Sequence, residues 1–188
     1  LGKDSIDKSK VAAVAGLCFI VVFMVGFYRI PGMLASVALL GYGVLLLAAI
    51  KFMQATLTLP GIAGIILTFG IAVDANVIIF ERIKEELTKG KSYQLAVTDG
   101  YKRSMSPVLD AHVTTLLTAT ILAYFGLGPV LGFATTQIIG ILLSLFCGIL
   151  VSRLITDIYT SKNRHFEYFT GISRSIFKHA SFKFIEFR

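Results

Sequence analysis

Two short segments place an acid inside apolar sequence, Asp74-Ala75-Asn76-Val77 and Asp110-Ala111-His112-Val113. Asp74 is the one ionisable side chain between Phe52 and Phe80. A carboxylate inside hydrocarbon costs several kcal/mol unless it is paired, hydrated or protonated, so such residues mark pathways for ions or protons. Carboxyl groups shielded from water also exchange protons closer to neutral pH than hydrated ones do. The chemistry on offer is therefore proton handling, with Asn76 as the adjacent hydrogen-bonding group. Six residues separate Asp74 from Glu81, where the apolar stretch ends, so at 1.5 Å per residue Asp74 lies roughly 9 Å deep.

Asp110 echoes this arrangement near the start of a later apolar run. Its helical face continues through Thr114 and Thr118, with His112 and Thr115 on the flank. An acid in a first helical turn is also stabilised by the helix dipole and reaches interfacial water, which accounts for Asp110 without any reaction. His112 is read either as a titrating group or as a hydrogen-bonded packing residue. Two aspartates in a membrane also permit a protease with a shared-proton dyad. The Gly-x-Gly-Asp setting of such enzymes is replaced here by Gly70-Ile71-Ala72-Val73-Asp74. With no metal spacing, phosphate loop or nucleophilic triad in the sequence, the expectation is a protein that is not an enzyme and holds no cofactor.

The elements that position these residues follow from composition. The 188 residues are 55% hydrophobic and 15% charged, with mean hydropathy +0.79, outside the range of soluble domains. Uncharged runs cover Val11–Tyr28, Ile30–Ile50, Phe52–Val73 and Ala111–Ser152. About 20 residues cross a bilayer core, and Gly126-Leu127-Gly128-Pro129 breaks the last run in two. The fold expected is an all-α polytopic membrane bundle with five spans, near 11–28, 33–50, 59–80, 107–125 and 130–152. Residues 1–10 form a lead-in, 11–156 the membrane domain and 157–188 a basic, aromatic tail.

Of 18 basic residues, 14 fall at Arg29, between Arg82 and Arg103, or from Arg153 onward, which five spans place on one side. That side is expected to be cytoplasmic and the N-terminus outside. An outside N-terminus without a signal peptide, on a chain opening at Leu1, leads to the expectation of a piece of a longer polypeptide. Cys18 and Cys147 lie within spans and read as apolar filler.

Helices associate in lipid through close backbone approach at small residues. The fifth span carries Gly132, Thr136, Gly140, Ser144, Gly148 and Ser152 at every fourth position, and the third carries Gly64, Thr68, Ala72 and Asn76. These two are expected at the centre of the bundle, with the first and second spans more exposed to lipid. The third span continues as a charged helix with Glu81/Lys84 and Glu85/Lys89 pairs and a cap at Gly90. Ser92 caps a short helix from Tyr93 toward Ser104, weakened by Gly100. In the tail, Ile172, Ile176 and Phe177 against Arg174 and Lys178 point to a surface helix on the bilayer, and the net charge of +7 requires no nucleic-acid partner.

Leu57-Thr58-Leu59-Pro60-Gly61-Ile62-Ala63-Gly64, Ala72-Val73-Asp74-Ala75-Asn76-Val77 and Phe80-Glu81-Arg82-Ile83-Lys84-Glu85-Glu86-Leu87 closely resemble the membrane half of the SecD family. The resemblance continues through Gly100-Tyr101, Asp110-Ala111, Val113-Thr114-Thr115, Gly126-Leu127-Gly128-Pro129-Val130, Gly132-Phe133-Ala134 and Gly140, covering nearly all of residues 1–160. Residues 164–188 look like the cytoplasmic linker of fused SecDF proteins. The resemblance implies half of a pseudo-symmetric bundle of the resistance-nodulation-division superfamily, in a bacterial inner membrane. It also implies a SecF half or subunit, the Sec channel with accessory membrane subunits, and unfolded exported polypeptide as partners, and use of the proton-motive force to assist export. Asp74 matches the family's proton-pathway acid, whose charged partners belong to the SecF half. The family's second motif usually reads Asp-Ala-Asn, where this chain has His112. Sodium suits a carboxylate and an amide as well as a proton does. Two other readings remain open: a scaffold that docks accessory subunits to the channel, and a superfamily transporter of lipids or other hydrophobic molecules.

Overall fold

A computed structural model describes residues 2–53 and 58–161. The helices are α1 (Gly2–Tyr28), α2 (Ile30–Phe52), α3 (Leu59–Thr88), α4 (Tyr93–Phe125) and α5 (Pro129–Leu145), which runs through a π-helical turn (Phe146–Val151) into α6 (Ser152–Ser161). Among the described residues five helices are long and apolar enough to cross a membrane, as the four uncharged runs, the last broken in two, predict. Pro31, Pro60 and Pro129 each stand in a first helical turn, where a missing N–H costs nothing. The Thr58 side chain caps α3 by accepting the Gly61 N–H at 3.1 Å. Gly90, at φ 82°, ends it in the left-handed region, as its position as a cap predicts.

The ladders of small residues meet as expected. A Cβ placed on Gly64 would stand 2.6 Å from the Thr136 hydroxyl oxygen, and one on Gly140 would collide with Thr68. Thr136 lies 3.2 Å from the Gly61 carbonyl across the same seam, and Tyr42 of α2 donates to the Gly140 carbonyl at 3.2 Å. Backbones therefore approach at glycine while hydroxyls bridge them, which is how helices adhere where no hydrophobic drive separates protein from lipid.

Two expectations need correction. The first concerns α2, which buries Ala35, Ala38, Leu39, Tyr42, Leu46 and Ile50 along one face and is no more exposed than α3. Its sequence is apolar all round, so no polar stripe marks which side meets protein. The exposed helices are α1, whose buried side chains among those described are Met24 and Tyr28 in its last turns, and the outer half of α4, where Val113, Leu117, Ile121 and Phe125 face outward. The second concerns the separate helix expected over 93–104, which is continuous with the fourth span and includes Pro107. Helix α3 overrides the local weakness: Gly100 lies so close to it that a Cβ would stand 2.5 Å from Ile83 Cγ1, and Ala96, Val97, Tyr101 and Ser104 are buried on that face. The expected surface helix near 172–178 lies outside the described residues, as does most of the 157–188 tail.

Candidate proton site

Residues two apart on a helix stand about 200° apart around its axis, and this sets the roles of Asp74 and Asn76. Ala72 and Asn76 are buried against the α5–α6 rod; Asp74 is turned outward and exposed. Leu67 is exposed on that outward side, and a Cβ on Gly70 would touch nothing, so the surface around Asp74 is open. No hydrogen bond or ion pair reaches the Asp74 carboxylate from any described residue.

Asn76 is engaged through both ends of its amide on the opposite side. Its Nδ2 donates to the Ala72 carbonyl at 3.1 Å, and its Oδ1 accepts the Ser152 hydroxyl at 2.7 Å. Since the Ser152 hydroxyl donates to Asn76, the Tyr101 hydroxyl is the donor toward Ser152 Oγ (3.2 Å) or Thr156 Oγ1 (3.3 Å), and Thr156 donates to the Ser152 carbonyl at 2.7 Å. This buried chain bolts α3, α4 and α6 together immediately beyond the π-helical turn, a feature that recurs at functional sites.

His112 occupies the seam between α4 and α5. Its Nδ1 lies 2.7 Å from the Val108 carbonyl, an acceptor only, so Nδ1 carries a proton; Nε2 lies 2.9 Å from Ser144 Oγ. Asp110 faces outward, and its carboxylate accepts Ser106 at 3.4 Å while Thr114 donates to its backbone carbonyl at 2.7 Å. The four candidates thus occupy separate surfaces, and no hydrogen bond joins any two of them. A dyad sharing one proton between Asp74 and Asp110 has no support in this geometry.

The charged end of the bundle contains groups whose importance the sequence does not announce. Glu81 and Lys84 pair at 2.9 Å and Glu85 and Lys89 at 3.0 Å, as their spacing predicts, but Glu81 also accepts the Tyr28 hydroxyl at 2.8 Å. Lys84 is nearly buried, its ammonium 5.4 Å from the Phe27 ring centre and 5.7 Å from that of Tyr28. Glu86 is completely buried among Lys89 at 2.9 Å, Lys91 and Arg103 at 3.4 Å. Lys91 reaches on to Asp99 of α4, and its hydrogen bonds to Asp99 and Glu86 raise its ammonium above the usual lysine range. The α3–α4 turn is fastened by charge where it leaves the apolar layer.

The sequence matches the family described as protein export membrane protein SecD/SecF, C-terminal, over residues 1–162. It is 53% identical over 158 residues to a protein translocase subunit SecD of Desulfurispirillum indicum, covering 84% of this chain and 31% of that protein. With the SecD of Acidaminococcus fermentans it shares 47% identity over 163 residues, 87% of this chain and 39% of the relative. The fold superposes on SecDF, a translocon-associated membrane protein from Thermus thermophilus, with TM-score 0.84 and 39% identity over 86% of this chain and 23% of the other. A super-membrane-facing form of SecDF gives 0.81 at 37% identity, over 86% of this chain and 22% of that one. The chain spans about a third of the length of these SecD relatives. With the ladders of small residues meeting as described and sequence and fold agreeing over the same residues, the chain belongs to the SecD/SecF C-terminal family of protein export membrane proteins.

Proposed function

We propose that this five-helix bundle is the proton-handling half of a translocase subunit in a bacterial inner membrane, assisting export of unfolded polypeptide through the Sec channel, with Asp74 as the proton carrier. The observation that supports this best is the outward Asp74 carboxylate, which has no hydrogen-bond or ion-pair partner among the described residues and is set in an apolar stretch of α3. Such a group requires a polar or cationic surface from outside the bundle, or a proton. A SecF half or subunit, named in the similar SecDF structures, is the natural source of that surface. Lys and Arg at the charged end make it the cytoplasmic side by the positive-inside rule.

Gaining or losing the proton at Asp74 changes the charge that the facing surface must accommodate, so two arrangements of the interface differ in proton affinity. That difference is what couples a gradient to movement. Export by the full-length protein, measured while proton and sodium gradients are collapsed separately, tests the coupling. Loss of stimulation with the proton gradient alone is the expected result; loss with sodium alone assigns the site to sodium. If Asp74→Asn leaves export intact while disruption of the Gly140–Ser144–Gly148 ladder abolishes it, the bundle is a docking scaffold.

A further inference from the structure

Glu81 is the next ionisable side chain after Asp74 along α3. It stands on the same outward side two turns further on, a rise of about 10 Å. Its oxygens are unequally employed. Oε1 accepts both the Tyr28 hydroxyl, at 2.8 Å, and Lys84 Nζ, at 2.9 Å, whereas Oε2 is buried and has no hydrogen-bond partner among the described residues. A buried carboxylate oxygen without a donor is unfavourable, and a proton bound there removes its negative charge. The titratable and charged groups that face Glu81 are Tyr28 from α1 and Lys84 from its own helix; Arg82 and Glu85 pair with each other at 2.6 Å on a more exposed side.

We propose that Glu81 is a second proton station, receiving the proton that Asp74 releases and passing it to water at the charged end of the bundle. This rests on the reading of Asp74 as the carrier. The proton leaves the Asp74 carboxyl, crosses two turns through intervening water, binds Glu81 Oε2 and is then lost to bulk water. Both carboxylates end ionised, and one proton has moved. Lys84 and Tyr28 engage Oε1, so Oε2 is the oxygen that takes the proton.

The same site carries a mechanical link. Helix α1 leaves most of its length exposed, and the buried side chains among its described residues, Met24 and Tyr28, lie at the end where Tyr28 grips Glu81. Proton arrival at Glu81 weakens the charge that Tyr28 and Lys84 share and so loosens α1 from α3.

The test uses the full-length protein with its partner half in vesicles carrying a trapped pH-sensitive dye, with folding checked by thermal unfolding. Glu81→Gln, which keeps an acceptor for Tyr28 but cannot carry a proton, is expected to lower gradient-driven proton flux at least tenfold. Glu81→Asp is expected to restore a third or more of it, with the dependence of flux on cytoplasmic pH displaced. Tyr28→Phe is expected to keep proton flux within threefold while export falls by more than that, separating the link from the relay. Flux within twofold of wild type in Glu81→Gln, with Asp74→Asn inactive, overturns the station and leaves the carrier reading standing. Normal flux in Asp74→Asn overturns the carrier reading itself. If Glu81→Gln fails to fold, an unchanged pH dependence in Glu81→Asp overturns the station.

Discussion

The two sides of α3 follow opposite rules. Toward α5 and α6, Gly64, Thr68, Ala72 and Asn76 bring backbones into contact, with the Thr68 and Asn76 side chains hydrogen-bonded. Away from them, Asp74 stands alone in a surface where even a Cβ on Gly70 would meet nothing. One side is finished within this chain; on the function proposed above, the other is completed by a surface outside the bundle or by a proton. Under that proposal, rigidity on the first side makes the second useful, because a carrier whose helix slid freely could not convert a change of charge into movement of a neighbour.

Substitutions can break that comparison. Gly140→Val, which drives a branched side chain into Thr68, is expected to cost about 3 kcal/mol, read as thermal unfolding of the bundle in micelles. Asn76→Ala leaves the buried Ser152 hydroxyl without its acceptor and is expected to cost about 2 kcal/mol, with less than additive loss in Asn76→Ala/Ser152→Ala. Tyr101→Phe, removing one hydroxyl from the same chain, is expected to cost about 1 kcal/mol. The Lys91 clamp adds a pH dependence of fixed sign. Its pKa is raised above 10.5 in the folded state, so its contribution is complete below that pH and disappears as pH rises through the folded value. Lys91→Met should abolish that alkaline component of the unfolding profile. On the outward side, Asp74→Asn is expected to change bundle stability by less than about 0.5 kcal/mol, because no contact within the bundle is lost.

Much of the site was legible because membranes make its signals local. A charge inside an apolar run identifies Asp74 without any fold, and small residues four apart identify the α3–α5 seam. The orientation of Asn76 relative to Asp74 required only the helical angle, but grouping the two as neighbours in sequence hid it. The burial of α2 was illegible because a uniformly apolar helix shows no difference between lipid-facing and protein-facing sides. The continuity of α4 through Gly100 and Pro107 depends on Ile83, far away in sequence, and the π-helical turn has no residue that signals it. The Tyr28–Glu81 contact carried no pattern either, since it joins residues 53 positions apart.

The central claim is that Asp74 carries the proton while the seam of α3 with α5 and α6 stays rigid behind it. The most direct measurement is gradient-driven proton flux in vesicles containing the full-length protein and its partner half, for wild type and Asp74→Asn, with thermal unfolding of both. The account requires flux to fall to the background of empty vesicles in Asp74→Asn while the unfolding temperature is unchanged. Undiminished flux in a normally folded Asp74→Asn protein contradicts it.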